Sequence, residues 1–217
     1  MNPSLRPALA SALLVIAWLG TPSVFAATLT VNAGGGADFK TINAAIAKVG
    51  NGDTILVKPG IYRESVRPRS DQRIIAEGGP VQTHIFVENG GRGLFLDQVE
   101  DVVVQGFDIH SVLGVGKPGD GLVSIAKCTG VTVRDCYIHD APNDSDCVKA
   151  SDTRRLLLER CCIWNPARRG KSNAFQEGMD TRAKDFEITV RGCWFFQTEK
   201  GDDTLIFCKG GCFDILW

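Results

Sequence analysis

Val102-Val-Val-Gln-Gly-Phe-Asp-Ile109 returns as Val131-Thr-Val-Arg-Asp-Cys-Tyr-Ile138, as Leu156-Leu-Leu-Glu-Arg-Cys-Cys-Ile163 and as Ile188-Thr-Val-Arg-Gly-Cys-Trp-Phe195. A fifth copy begins at Ile215, and successive copies start 29, 25, 32 and 27 residues apart. Apolar residues fall at the first, third, sixth and eighth places. Alternation over the first three places is the period of a strand. The side changes at the fifth place, held by Gly106, Asp135, Arg160 or Gly192. That marks a bend into a second short strand. A unit of this size cannot bury its apolar face alone, so the copies must stack as rungs of a solenoid.

The residues between copies form a further register. Asp146-Cys-Val-Lys149-Ala-Ser151 can be laid over Glu177-Gly-Met-Asp180-Thr-Arg182 and Thr204-Leu-Ile-Phe207-Cys-Lys209. Val148, Met179 and Ile206 then share one inward column, and Ala150, Thr181 and Cys208 another. The outward columns are Asp146/Glu177/Thr204, Lys149/Asp180/Phe207 and Ser151/Arg182/Lys209. The loops feeding that face add Asp140, Asp144, Asp202 and Asp203. Asp146, Glu177, Asp180 and Asp202 thus form a candidate all-oxygen site of the kind Ca2+ takes. A lysine beside it either neutralises the carboxylates or, repelled by a bound cation, loses its proton and acts as a base. The second role suits β-elimination on a uronic acid, with metal and a cation holding the substrate carboxylate.

Two more columns follow from the repeat. Cys136, Cys161 and Cys193 take the place of Phe107 and read as an inward ladder of small apolar side chains, whose rung spacing of about 4.8 Å also admits one disulfide between neighbours. None of the eight cysteines is spaced as a zinc ligand set. His110 and His139 share an outward column continued by Trp164 and Phe196, which predicts a stacking ladder rather than a metal site.

The 217-residue chain carries 24 Lys+Arg against 25 Asp+Glu, so no basic excess argues for nucleic acid. Arg6, the apolar run from Ala8 to Gly20 and Val24-Phe25-Ala26 read as a signal peptide over 1–26, cleaved after Ala26. The expected product is a secreted or periplasmic monomer without a membrane span. One domain over 27–217 is expected, with a cap at 28–62 and coils at 63–217. Ile42, Ile46 and Val49 would line one face of a cap helix that starts at Thr41. The chain stops at Trp217 inside a strand pattern, so a C-terminal truncation is expected.

Phe39, Thr41-Ile42, Ala45-Ile46, Gly52-Asp53-Thr54-Ile55 and Pro59-Gly60-Ile61-Tyr62 resemble the cap and first coil of the pectin-lyase-like superfamily. That resemblance implies an all-β, right-handed parallel β-helix with an N-terminal helical cap. Gly201-Asp202-Asp203-Thr204-Leu-Ile-Phe-Cys-Lys209 resembles a segment of polysaccharide lyases of the alginate lyase/chondroitinase B type. By that match Lys209 is the base and Asp202 a Ca2+ ligand, and the catalytic Arg of that family would lie beyond Trp217; Arg182, on the outward column of Lys209, is the candidate cation. Asp202 stands where that family has Glu, and Thr204 where it has a second acid. Pectate lyases on this fold also pair Asp clusters with Lys or Arg. The expected function is Ca2+-assisted lyase-type cleavage of an acidic polysaccharide. Its alternatives are a non-catalytic glycan-binding or surface-structural β-helix protein, and a carbohydrate esterase or hydrolase drawing on Asp180 and Arg182.

Overall fold

The structure, a computed structural model, describes residues 26–117, 120–166, 179–181, 186–196, 198, 206–208 and 213–216. Strand β1 (Thr28–Val31) is followed by a short helix, α1 (Ile42–Ile46), then β2 (Thr54–Val57) and β3 (Gly60–Tyr62). Next come β4 (Arg73–Ala76), β5 (Thr83–Val87) and β6 (Leu94–Asp97), then β7 (Val103–Gln105), β8 (Asp108–Ser111) and β9 (Asp120–Ala126). The third coil is β10 (Thr132–Arg134), β11 (Tyr137–His139) and β12 (Ser145–Ser151). The fourth is β13 (Arg154–Glu159), β14 (Cys162–Trp164) and β15 (Met179–Thr181). β16 (Phe186–Arg191), β17 (Trp194–Phe196) and β18 (Ile206–Cys208) complete the fifth, and β19 (Phe213–Leu216) opens another turn.

All pairing is between equivalent strands of successive coils, and it is parallel. Three sheets result. Sheet A runs β1-β2-β4-β7-β10-β13-β16-β19, sheet B runs β17-β14-β11-β8-β5-β3, and sheet C runs β18-β15-β12-β9-β6. This is the parallel β-helix that the repeat predicts. The two strands inside each repeat belong to sheets A and B, and the register laid between repeats is sheet C.

One column per sheet shows why these residues stack. In sheet A, Ile55, Ile74, Val104, Val133, Leu158 and Val190 lie rung over rung, all buried. In sheet B the column is Tyr62, Ile85, Ile109, Ile138 and Ile163. In sheet C, Leu94, Val123, Val148 and Met179 do the same, with Ile206 next. β-branched side chains suit this setting, because they pack well on a pleated surface. The cysteine ladder is borne out: Cys136, Cys161 and Cys193 are buried free thiols, and the Cys161 N–H points at Cys193 Sγ at 3.4 Å.

The bends have a common conformation. Gly106, Asp135, Arg160 and Gly192, all at the fifth place of the repeat, have φ of 80°, 54°, 50° and 59°. A single left-handed residue reverses the side on which the chain's next side chains point. Most L-residues disfavour it, so Gly, Asp and Asn are over-used there.

Two local readings need correction. Residues 58–62 are not only a turn, since Gly60–Tyr62 forms β3. Helix α1 ends at Ile46 rather than running to Val49, although Val49 still packs inward. Thr41 does cap the helix: its Oγ1 accepts from the Ala44 N–H at 3.3 Å. Among the described residues no helix is long and apolar enough to cross a membrane.

Candidate functional site

Alternation within each strand of sheet B puts one residue inward and its two neighbours outward. The outer face therefore carries two columns. One is Ile61, His84, Asp108, Tyr137, Cys162 and Trp194. The other is Phe86, His110, His139, Trp164 and Phe196.

The second column is a continuous stack, as its sequence predicts. Ring centroids are 4.7 Å apart for Phe86–His110, 5.1 Å for His110–His139, 4.0 Å for His139–Trp164 and 5.1 Å for Trp164–Phe196. Interplanar angles are 22°, 4°, 4° and 11° in the same order. These spacings match the rise between parallel strands, about 4.8 Å. Inner rings of such a stack have both faces covered by neighbours, so they offer a ligand their edges and ring nitrogens.

The first column supplies what the stack lacks, a carboxylate in reach of the imidazoles. His84 Nδ1 is 3.0 Å from Asp108 Oδ2, and His139 Nε2 is 2.8 Å from Asp108 Oδ1. The second contact is a close ion pair, and among the described residues Asp108 Oδ1 meets no other donor in its buried position. His139 Nδ1 faces Asp140 Oδ2 at 2.8 Å, and Asp140 Oδ1 accepts from Asn165 Nδ2 at 2.7 Å. Asn165 is in turn tied to Thr198. All three histidines of the chain thus meet around Asp108.

The electrostatics divide the imidazoles. Burial disfavours the charged form of His139, but Asp108 and Asp140 outweigh it through hydrogen bonding and charge and raise its pKa to about 9. His139 is therefore an imidazolium at neutral pH. Burial pushes His110 down instead, helped by the neighbouring His139 and His84 against the pull of Asp108. Burial also acts on Asp140, raising it, yet bonds from His139 and Asn165 hold its carboxyl below the usual range.

Two concavities adjoin this cluster. A groove of about 810 Å³ runs along the turns from sheet B to sheet C, past His110, Asp140, Trp164 and Asn165. A pocket of about 460 Å³ shares Phe86 with it and holds Arg63, Arg67 and Arg92. Arg63 lies 5.0 Å over the Phe86 ring, while Arg67 and Arg92 lie 5.3 and 4.5 Å over Phe95 on sheet C. The pocket's acids, Glu64 and Glu88, are engaged. Glu64 accepts from the Ile42 and Asn43 amides that open α1, and Glu88 pairs with Arg63.

The register predicted for sheet C holds: Val148 pairs with Met179, Lys149 with Asp180, and Asp180 with Phe207. Asp146 is a correction. It was expected on the outward face, but its side chain is 0% exposed and its carboxylate takes the Lys149 ammonium at 2.9 Å. Asp146 shares the parity of the inward Val148 and Ala150, and Ser145, Asp146, Cys147 and Val148 are buried in succession. Asp180 lies in β15 by its backbone. Glu177, Arg182, Asp202 and Lys209 lie outside the described residues.

Sequence reasoning found His110 and His139 but missed Asp108, His84 and the clamp of Asp140. Asp108 sits inside the repeat itself, and its charge at a place that the other copies fill with Tyr137, Cys162 and Trp194 is the signal that could have exposed it.

No protein-family model matches the chain, and no curated protein matches it. Solved structures do. An alginate lyase from Paenibacillus sp. str. FPU-7 is similar at a TM-score of 0.56 and 13% identity, over 87% of this chain and 74% of that one. A provisionally assigned glycosyl hydrolase from Parabacteroides merdae is similar at 0.53 and 11%, over 76% and 82%. A pectin methylesterase variant solved with a hexasaccharide is similar at 0.51 and 12%, over 79% of this chain and 66% of its own length. At such identities the likeness is one of fold, and that fold is the parallel β-helix described above.

Proposed function

We propose that this protein binds an acidic polysaccharide along the corner between sheets B and C and cleaves it by lyase-type β-elimination. The observation that carries the reading is the junction of two concavities at Phe86: a pocket holding three guanidiniums and a groove edged by imidazole, indole and carboxamide. Guanidinium is the side chain best shaped to hold a carboxylate in a bidentate pair. Aromatic edges and Asn165 suit the alternating apolar and hydroxyl faces of a sugar chain. The solenoid offers one such position per rung, so a polymer lying along its axis meets several in succession. Polysaccharide-directed names among proteins of the same fold agree with this reading.

For the elimination, Lys209 remains the candidate base and Arg182 the candidate cation. Ca2+ on Glu177, Asp180 and Asp202 would acidify the proton next to the substrate carboxylate. Asp146 is left out, because Lys149 already occupies its carboxylate. Hydrolysis is the second reading, favoured by two carboxylates, Asp108 and Asp140, on either side of His139.

The test is to incubate the full chain with pectate, alginate and chondroitin sulfate, with and without Ca2+. Ultraviolet absorbance of an unsaturated uronate, abolished in Lys209→Ala, is the expected result. New reducing ends without that absorbance would assign hydrolysis instead. Binding without any cleavage would leave a glycan-binding protein and sink the enzymatic reading.

A further inference from the structure

We propose that His84, Asp108 and His110 form a binding site for a divalent first-row transition-metal ion of the Zn2+ type. One nitrogen from each imidazole and one Asp108 oxygen lie within 4.8 Å of one another. A tetrahedral ion with bonds of about 2.0–2.1 Å needs its ligand atoms roughly 3.3 Å apart. His84 and Asp108 already approach to 3.0 Å. Closing the rest is a matter of side-chain rotation, since the ligands stand on β5 and β8, neighbouring strands of one sheet. Rigid strands hold such a set better than loops do.

The surroundings support the assignment. Asp108 keeps its second oxygen against His139, which Asp140 holds, and Asn165 holds Asp140. This chain of contacts orients the Asp108 carboxylate as outer-shell partners orient metal ligands elsewhere. Mixed nitrogen and oxygen donors select Zn2+, Mn2+, Fe2+ or Co2+ over Ca2+, which takes oxygen ligands. Three protein ligands, with His110 on the wall of an open groove, leave a coordination position free, the arrangement of a reactive ion rather than a structural one. The site lies on sheet B, whereas Asp180 stands on sheet C, and it does not depend on the polysaccharide reading.

The experiment uses the untagged protein, stripped with a chelator and titrated with Zn2+ by calorimetry. One ion per chain is expected, together with a melting temperature that rises with free Zn2+. His84→Gln and His110→Gln are each expected to weaken binding by about tenfold or more. An equal concentration of Ca2+ should not compete. Absence of Zn2+ binding, or affinity unchanged in both variants, overturns the proposal. The second result would place the ion on the cysteines or on other acids. Should either variant fail to fold, the wild-type protein decides. The chain has 3 histidines, all in this cluster, so carbethoxylation by diethyl pyrocarbonate can be read for each by mass spectrometry. Protection of His84 and His110 by Zn2+ supports the site, and equal labelling with and without Zn2+ removes it.

Discussion

His139 is held by two carboxylates, and its charge is tied to folding. In chelator-treated protein its pKa is raised to about 9, burial opposing and Asp108 and Asp140 prevailing. The unfolded value is about 6.5. The folded state thus holds the proton more tightly. Its stabilisation is complete below about pH 6.5 and disappears as pH rises through about 9. Allowing for partial solvent screening, the loss is about 1–2 kcal/mol. Urea midpoints at about pH 6 and about pH 9.5 measure it, and the drop should shrink in His139→Gln. Asp108, Asp140 and His110 are the titratable groups in contact with His139. A second residue-scale prediction concerns Arg155, whose φ is 50° and whose side chain is exposed, 3.7 Å from Asp101. The left-handed conformation costs most L-residues about 1–2 kcal/mol, and Asn least. Arg155→Asn should therefore raise the urea midpoint, by up to about 1 kcal/mol of stability.

At the scale of elements, each strand matters through the column it joins. Ile138 is fully buried between Ile109 and Ile163 in sheet B. Ile138→Ala leaves a cavity that neighbours above and below cannot fill, and should cost about 2–5 kcal/mol in chemical denaturation. Gly121 limits sheet C from the other direction. It pairs with Asp146, and a Cβ there would meet Lys149 Cβ at 2.8 Å and Val123 O at 2.9 Å. Gly121→Ala should displace Lys149 from Asp146 and destabilise the protein by about 1–3 kcal/mol, read by the same denaturation. A neutral result would mean that the strand pair can open without loss.

At the scale of the whole molecule, the solenoid turns short motifs into long surfaces. Stability is close to a sum over neighbouring coils, and so is the binding face. Arg63 and Arg92 line the pocket at the first coil, while Asp140, Trp164 and Asn165 continue the groove two and three coils on. Arg63→Ala and Arg92→Ala should each weaken pectate or alginate binding by about 1 kcal/mol or more, measured by calorimetry or retention on immobilised polymer. Rising ionic strength should weaken it too, because the pairing is between exposed charges. Affinity that ignores both salt and these arginines would move the polymer to another face.

The repeat at Val102, Val131, Leu156 and Ile188 was enough to determine the solenoid, the inward columns and the cysteine and aromatic ladders. Each depends on the two-residue period of a strand and on the bend at the fifth place, and both are local properties. What the sequence could not order was anything that crosses between columns. Asp108 reaches His84 on the rung before it and His139 on the rung after it. Those contacts depend on the sideways reach of side chains, which a rung-by-rung alignment does not contain. Asp146 makes the same point from inside sheet C. The register laid between repeats assigns it outward, but it shares the parity of the inward Val148 and Ala150, residues 145–148 are all buried, and its carboxylate takes the Lys149 ammonium. The tertiary structure alone decided these, because the stagger of neighbouring coils and the packing at their corners determine which charge finds a partner and which faces a groove.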